Sequence, residues 1–252
     1  QAAYDQAFAK WKTSHEPFHW FVEFYGITHA GGFDVIIGNP PYVEYKDVKD
    51  VYQVRGYATL NCKDLYAFAA ERAYALVRRE GRVGLIVPIS IFGVDGFSQL
   101  QHESRERLSD IWVSSFANRP AQLFDGAQKR LTIMVGRRGD STDPELRTTA
   151  YLRWKREEFP ALFATRVRYA PLHPAFTVFP ASLEKLGNSI ETHVFAKLTS
   201  VSSRLEAALA ADTRHRVYYT RKFGYFLAFL DFIPRVVEIR SGRKVSPSEL
   251  KD

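Results

Sequence analysis

The chain has 252 residues, 46% of them hydrophobic, with a formal charge of +7 and one cysteine. That size and apolar content allow one large domain, or one with part of another. No apolar run nears the ~20 residues of a membrane span, so no membrane-spanning helix is expected. Cys62 alone cannot form an internal disulfide and fits a reducing compartment. With no secretory leader visible at the start, a cytoplasmic location is expected. The positive charge favours a polyanionic partner.

Residues 1 to 30 open with a helix over Ala2 to Lys12, and the aromatic run Phe18 to Tyr25 (FHWFVEFY) reads as strand-like. His15-Glu16-Pro17-Phe18-His19 has the letters of a zinc motif. That motif needs both histidines one turn apart on a regular helix, and Pro17 forbids one. Phe33 to Ile37 comes next, short, apolar and β-branched between glycines, which predicts a buried strand of a parallel sheet.

Gly38 ends that strand, and Asn39-Pro40-Pro41-Tyr42 stand at its carboxyl end, the edge where open α/β sheets place ligands. The side-chain carbonyl of Asn39 and the main-chain carbonyl of Pro40 are two acceptors, held rigid by consecutive prolines. An exocyclic amine on a nucleobase is a poor nucleophile because its lone pair is delocalised into the ring. Two such acceptors can draw that nitrogen toward tetrahedral geometry. Tyr42 offers an aromatic face for a base swung out of a duplex, worth roughly 1–3 kcal/mol.

Val43 to Leu60 is polar and aperiodic and reads as a long loop beside this tip. From Asn61 to Arg79 the pattern predicts a helix, its apolar stripe made by Leu65, Phe68, Ala69, Ala73, Leu76 and Val77, with Gly81 as the terminating residue. Arg82 to Val87 predicts a second parallel strand, and Phe97 to Leu108 a helix. Ile111 to Phe116 and Leu131 to Val135 predict an antiparallel pair around a loop holding Phe124 and Lys129. Ser-Thr-Asp-Pro-Glu-Leu-Arg-Thr-Thr after Asp140 reads as a polar linker, and Ser189 to Ala211 as a helix. Arg214, Arg216, Arg221 and Lys222 then interleave with Tyr218, Tyr219, Phe223 and Tyr225, a pattern suited either to phosphate contact and stacking or to a solvated basic strand face.

The stretch FDVIIGNPPYV resembles motif IV of the S-adenosylmethionine-dependent amino-methyltransferases, and most of all the adenine-N6 DNA methylases of type IIG restriction-modification systems. Lys63-Asp64-Leu65-Tyr66-Ala67-Phe68 is similar to motif V, and FDGAQKRLT from Phe124 to Thr132 is similar to motif VIII. The resemblance implies an α/β fold: a partial Rossmann-like class I methyltransferase sheet, parallel strands ending in an antiparallel hairpin, followed by a mixed α+β segment. It implies a catalytic tip of Asn39, Pro40, Pro41 and Tyr42, cofactor contacts from Phe68 and Pro40, and target-base contacts from Tyr42, Phe124 and Lys129. Arg214, Arg216, Arg221 and Lys222 would contact DNA.

By the same resemblance, residues 1–139 are the C-terminal half of a methylase catalytic domain and 140–252 a linker with the beginning of a target-recognition region. The cofactor is S-adenosylmethionine, whose main binding loop does not stand in this chain. Double-stranded DNA is the substrate partner, no membrane is involved, and the remaining methylase half is supplied in the same polypeptide or as a subunit, so the segment alone is expected to be inactive. Two other readings stay open: an NPPY-type protein-glutamine or RNA guanine-N2 methyltransferase, and a non-catalytic DNA-binding specificity module. Glu249-Leu250-Lys251 carries nuclease letters without an aspartate-bearing strand, and chance accounts for it.

Overall fold

The computed structural model describes residues 1–15, 18–140, 144–172, 182–201, 238–240 and 243–245. In chain order these form α1 (Ala2–His15), α2 (Trp20–Glu23), α3 (Tyr25–His29), β1 (Phe33–Gly38), α4 (Leu65–Leu76), β2 (Val77–Pro88), α5 (Ser98–Arg107), β3 (Leu108–Phe116), β4 (Leu131–Arg138), β5 (Glu145–Leu152), β6 (Ala170–Pro171), α6 (Ser189–Ser200), β7 (Glu238–Arg240) and β8 (Arg243–Val245). Two compact units result, Gln1–Ser200 and Val201–Asp252. In the second, β7 and β8 pair antiparallel. Among the described residues no helix is long and apolar enough to cross a membrane.

The first unit is built on a six-stranded sheet of order β1-β2-β4-β3-β5-β6. β1 and β2 pair parallel, β4 runs antiparallel to both β2 and β3, and β5 lies parallel to β3. The expected hairpin therefore forms, and its second arm is inserted between β2 and β3, leaving β1, β2, β3 and β5 pointing one way. One apolar cluster packs Tyr66, Ala70 and Tyr74 of α4 and Leu100 of α5 against Val83, Leu85, Ile111 and Met134. A second holds Phe116, Leu123, Leu131, Leu152, Trp154 and Leu162.

Four expectations are corrected. The Phe18 to Tyr25 run is helical rather than a strand: Trp20 and Phe24, four residues apart, stack at 5.6 Å, and both meet the ring of Phe33. A helical turn brings those rings to one side where a strand would split them. β1 is not buried on both faces, for Val35 is 53% and Ile37 81% exposed, and among the described residues it pairs with β2 alone. The polar stretch after Asp140 does not end the sheet, because Glu145 to Leu152 is β5, joined to β3. Its Thr148 and Thr149 are buried, and their hydroxyls are hydrogen-bonded, which removes the cost that made them look like linker. The described part of the last helix runs only from Ser189 to Ser200, and the rest of the expected span lies outside the described residues.

The fourth correction concerns the end of α4. It stops at Leu76, and β-branched Val77 turns extended to pair with Phe33. Gly81 is thus no helix terminator. A side-chain carbon at that position would stand 2.8 Å from the Arg78 carbonyl oxygen and 2.9 Å from that of Asp34. The bend of β2 against its own Val77 and Arg78, together with the approach of Asp34 on β1, requires glycine there.

A short clasp ties the segment after the Asn39–Tyr42 tip to the start of α4. Glu44 and Asp64 form an isolated antiparallel bridge, Tyr45 N–H donates to the Lys63 carbonyl at 2.8 Å, and Leu65 N–H to the Val43 carbonyl at 3.0 Å. Asp64 precedes the first turn of α4 without a side-chain cap bond. Burial pushes its carboxyl up to about 6, against the pull of Lys129, with Glu44 adding to the rise and Lys46 opposing it.

Gly81→Ala is expected to lower stability by about 1–3 kcal/mol, the range for overpacking; an unshifted urea midpoint would contradict the close approach. For Asp64, the folded form binds the proton more tightly than the unfolded chain, whose carboxyl keeps its ordinary 3.8. Its stabilising contribution is therefore complete below about pH 4 and lost as pH rises through about 6. Relative to the parent, Asp64→Asn should gain stability at pH 8 and forfeit that gain by about pH 4, as thermal melts across that range would record; a constant offset would refute the shift.

Candidate nucleobase and cofactor cavities

Asn39 to Tyr42 leave β1 at the end where β2 reaches Pro88. Tyr42 is half-buried and packs against both apolar clusters. Its ring meets Tyr66 edge to face at 6.4 Å, and its hydroxyl reaches Asn39 Oδ1 at 2.5 Å and the Ile86 carbonyl at 3.1 Å. Its one proton divides between those acceptors. Burial pushes the phenol above its ordinary range, so it stays a donor. The bond to Asn39 takes one of two lone pairs on that carbonyl and leaves the other free.

A cavity of about 420 Å³ opens over this tip, lined by Asn39, Pro40, Pro41 and Tyr42 from one side and by Phe124 and Lys129 from the β3–β4 loop on the other. The loop turns at Gly126, whose φ of +82° is left-handed, and Ala127 N–H closes the turn on the Phe124 carbonyl at 3.1 Å. Asn118 Nδ2 donates to the Gln128 carbonyl at 2.6 Å. The Lys129 ammonium donates to the Tyr42 carbonyl at 3.3 Å and stands 5.9 Å from the centre of its ring. The structure thus brings Asn39, Pro40, Pro41, Tyr42, Phe124 and Lys129 together.

A second cavity, about 570 Å³, lies on the other side of Pro41, which lines both. Its wall includes Tyr57, Leu65, Phe68 and Ala69. Phe68 is buried, with Tyr45 edge-on at 5.5 Å and Tyr57 tilted at 5.6 Å. Pro40, expected beside Phe68, borders the first cavity, and Pro41 is the proline that faces Phe68's. Arg214, Arg216, Arg221 and Lys222 lie outside the described residues, as does Glu249-Leu250-Lys251.

Three supporting residues have no strong signal in the sequence. Glu71 on α4 accepts from the N–H groups of Ala58 and Thr59 at 3.1 and 3.0 Å and from the Thr59 hydroxyl at 2.7 Å. Arg72 Nε donates to the Tyr57 hydroxyl at 3.0 Å, with its guanidinium 5.2 Å from the centre of that ring. Together they hold the aperiodic loop on the helix. Only their place on the polar side of α4 hinted at a use. Asp64, the third, stands inside the motif-V likeness but shows its unusual carboxyl only once the fold is formed.

Comparison with known proteins bears on the segment that holds the tip. A protein of Methanocaldococcus jannaschii, named as a type II restriction enzyme and methyltransferase, is 30% identical over 114 residues, 44% of this chain. The chain spans only 9% of that relative's length over the match. Among solved structures, the complex of DrdV with DNA is similar at 19% identity and a TM-score of 0.45, over 61% of this chain and 18% of that one. A modification subunit of a type I restriction enzyme from Vibrio vulnificus YJ016 gives 13%, 0.42, 63% and 38%. Residues 3–119, which carry β1, the Asn39–Tyr42 tip, α4 and β3 but stop short of Phe124 and Lys129, match the Eco57I restriction-modification methylase family.

Proposed function

We propose that the chain forms the base-holding part of a DNA methyltransferase of a restriction-modification system, which transfers a methyl group from S-adenosylmethionine to N6 of an adenine turned out of the duplex. The observation that carries the reading is one cavity with two carbonyl acceptors, a phenol ring and a second aromatic on its walls. An extruded adenine costs a few kcal/mol to unstack, and aromatic faces offset that cost. It would stack on Tyr42 with Phe124 opposite, displacing the Lys129 ammonium from the ring toward the neighbouring phosphate. The free lone pair of Asn39 and the Pro40 carbonyl would accept the two amine hydrogens. Tyr42 keeps Asn39 oriented, and no general base is needed, since the proton can leave after transfer.

The 570 Å³ cavity suits the adenosine end of the cofactor: it is aromatic and apolar at Phe68 and Tyr57 and shares Pro41 with the base cavity. Phe68, Tyr57 and Pro41 would hold it there. When bound, S-adenosylmethionine supplies an electrophilic methyl group. Glu71 and Arg72 position the loop that carries Tyr57. The exposed face of β1, and its edge that is unpaired among the described residues, suit pairing with the rest of a methylase sheet, supplied by the same polypeptide or a partner. The net charge of +7 and the basic Arg214, Arg216, Arg221 and Lys222 suit DNA.

In the whole protein that carries this chain, Asn39→Ala and Tyr42→Ala should each reduce adenine methylation by about 10²-fold or more, the scale of losing one preorganised polar group. Tyr42→Phe, which keeps the ring, should lose less. Sequencing of N6-methyladenine in DNA from expressing cells reads this out, and normal modification with both alanine variants would end the assignment. Glu71→Ala should raise KM for S-adenosylmethionine roughly 10-fold with kcat little changed, as expected where binding geometry alone is loosened. A fall in kcat at unchanged KM would instead make Glu71 part of the base site.

A further inference from the structure

Beyond Phe124 lies a third cavity, about 600 Å³, that methyl transfer as proposed does not use. Phe124 is common to it and to the base cavity. Pro120, Trp154 and Phe159 form apolar wall, and Asp125 and Arg156 stand at its mouth, their charged groups 3.9 Å apart and both open to water. Trp154 is 2% exposed, and its indole N–H has no acceptor among the described residues. That nitrogen is shut off from solvent, so it belongs to the wall and offers nothing to an occupant.

The composition narrows the occupant. Aromatic faces favour a flat ring, and an exposed guanidinium beside an exposed carboxylate offers donors and an acceptor together, the complement of a base edge that carries both. A free phosphate fits poorly, because Asp125 would repel it. Position narrows it further. The nucleotide joined to the target through a single phosphate is the one whose base reaches the far side of Phe124 when it too leaves the stack.

We propose that this cavity holds the nucleobase next to the target base on the same strand, so that Phe124 separates two consecutive nucleotides, with Phe159 as the second stacking face and Asp125 and Arg156 reading the base edge. The inference rests on Asn39 to Tyr42 being the target-base site. It gives the chain a means of reading sequence immediately beside the modified adenine, in addition to whatever recognition the rest of the protein supplies.

The test uses the whole protein that carries this chain and the duplex it selects from a random pool. An abasic nucleotide is placed at each position in turn, and affinity is measured for the parent, Tyr42→Ala, Phe159→Ala and Arg156→Ala. Phe159 is 40% exposed and the Arg156 side chain 86%, so both changes spare the core. Tyr42→Ala should lose its effect at one abasic position, the target. Phe159→Ala and Arg156→Ala should each weaken binding of the intact duplex roughly 10-fold, the low end for one stacked base, and lose that effect at the adjoining position only. Rates at saturating DNA should stay within about twofold of the parent for both. Equal weakening at every position, or coupling to a nucleotide not adjoining the target, overturns the proposal. If Phe159 couples to one position while Tyr42 couples to none, the third cavity remains a base site and it is the target-base reading that falls.

Discussion

The hydroxyl of Tyr42, set between Asn39 Oδ1 at 2.5 Å and the Ile86 carbonyl at 3.1 Å, is the contact on which the site's geometry depends. Asn39 is exposed and two prolines come after it, so the backbone is stiff but its end would otherwise be free to swing. The Ile86 carbonyl belongs to β2, which is locked in the sheet on both sides, and through it the phenol ties the tip to the most constrained part of the unit. The ring also touches both apolar clusters. A side chain wedged there has few rotamers left, so the acceptor it orients is set before any ligand arrives, which is the form of preorganisation that favours a transition state over a ground state.

How far the sequence reveals this depends on the range of the interactions. The strands β2, β3 and β4 and the helices α4 and α5 are legible because their apolar residues recur with the period of the element, and the antiparallel hairpin is implied by two short strands close in sequence. The tip is legible because its chemistry is compressed into Asn39 to Tyr42. Trp20 and Phe24 mislead, since aromatic residues favour strands in general and only the stacking of these two rings, with the edge of Phe33 against both, selects helix. Val77 and Gly81 mislead for a related reason: a glycine after a basic pair looks like a helix end, and the groups that demand it are Val77 and Arg78 of a bent β2 and the carbonyl of Asp34 on another strand. The buried threonines of β5 look like linker until their hydrogen-bond partners are in place. For Gly81 and the threonines a deciding partner is distant in sequence and carries no local period.

The three cavities share walls in a way that local patterning could not announce. Pro41 belongs to the aromatic cavity and to that of Asn39, and Phe124 to the latter and to the cavity of Trp154. For group transfer between two bound molecules, sites divided by a single residue are what proximity requires, because reacting atoms must come within about 3–3.5 Å without either partner leaving its pocket. A proline suits that partition: it has no N–H to satisfy, and its ring is rigid and apolar on both faces. Phe124 stands differently. It is 37% exposed on a loop that turns at Gly126, so it can adjust to whatever bases flank it. The rigid partition therefore lies where atoms would be exchanged, and the adaptable one where a flexible strand would be received.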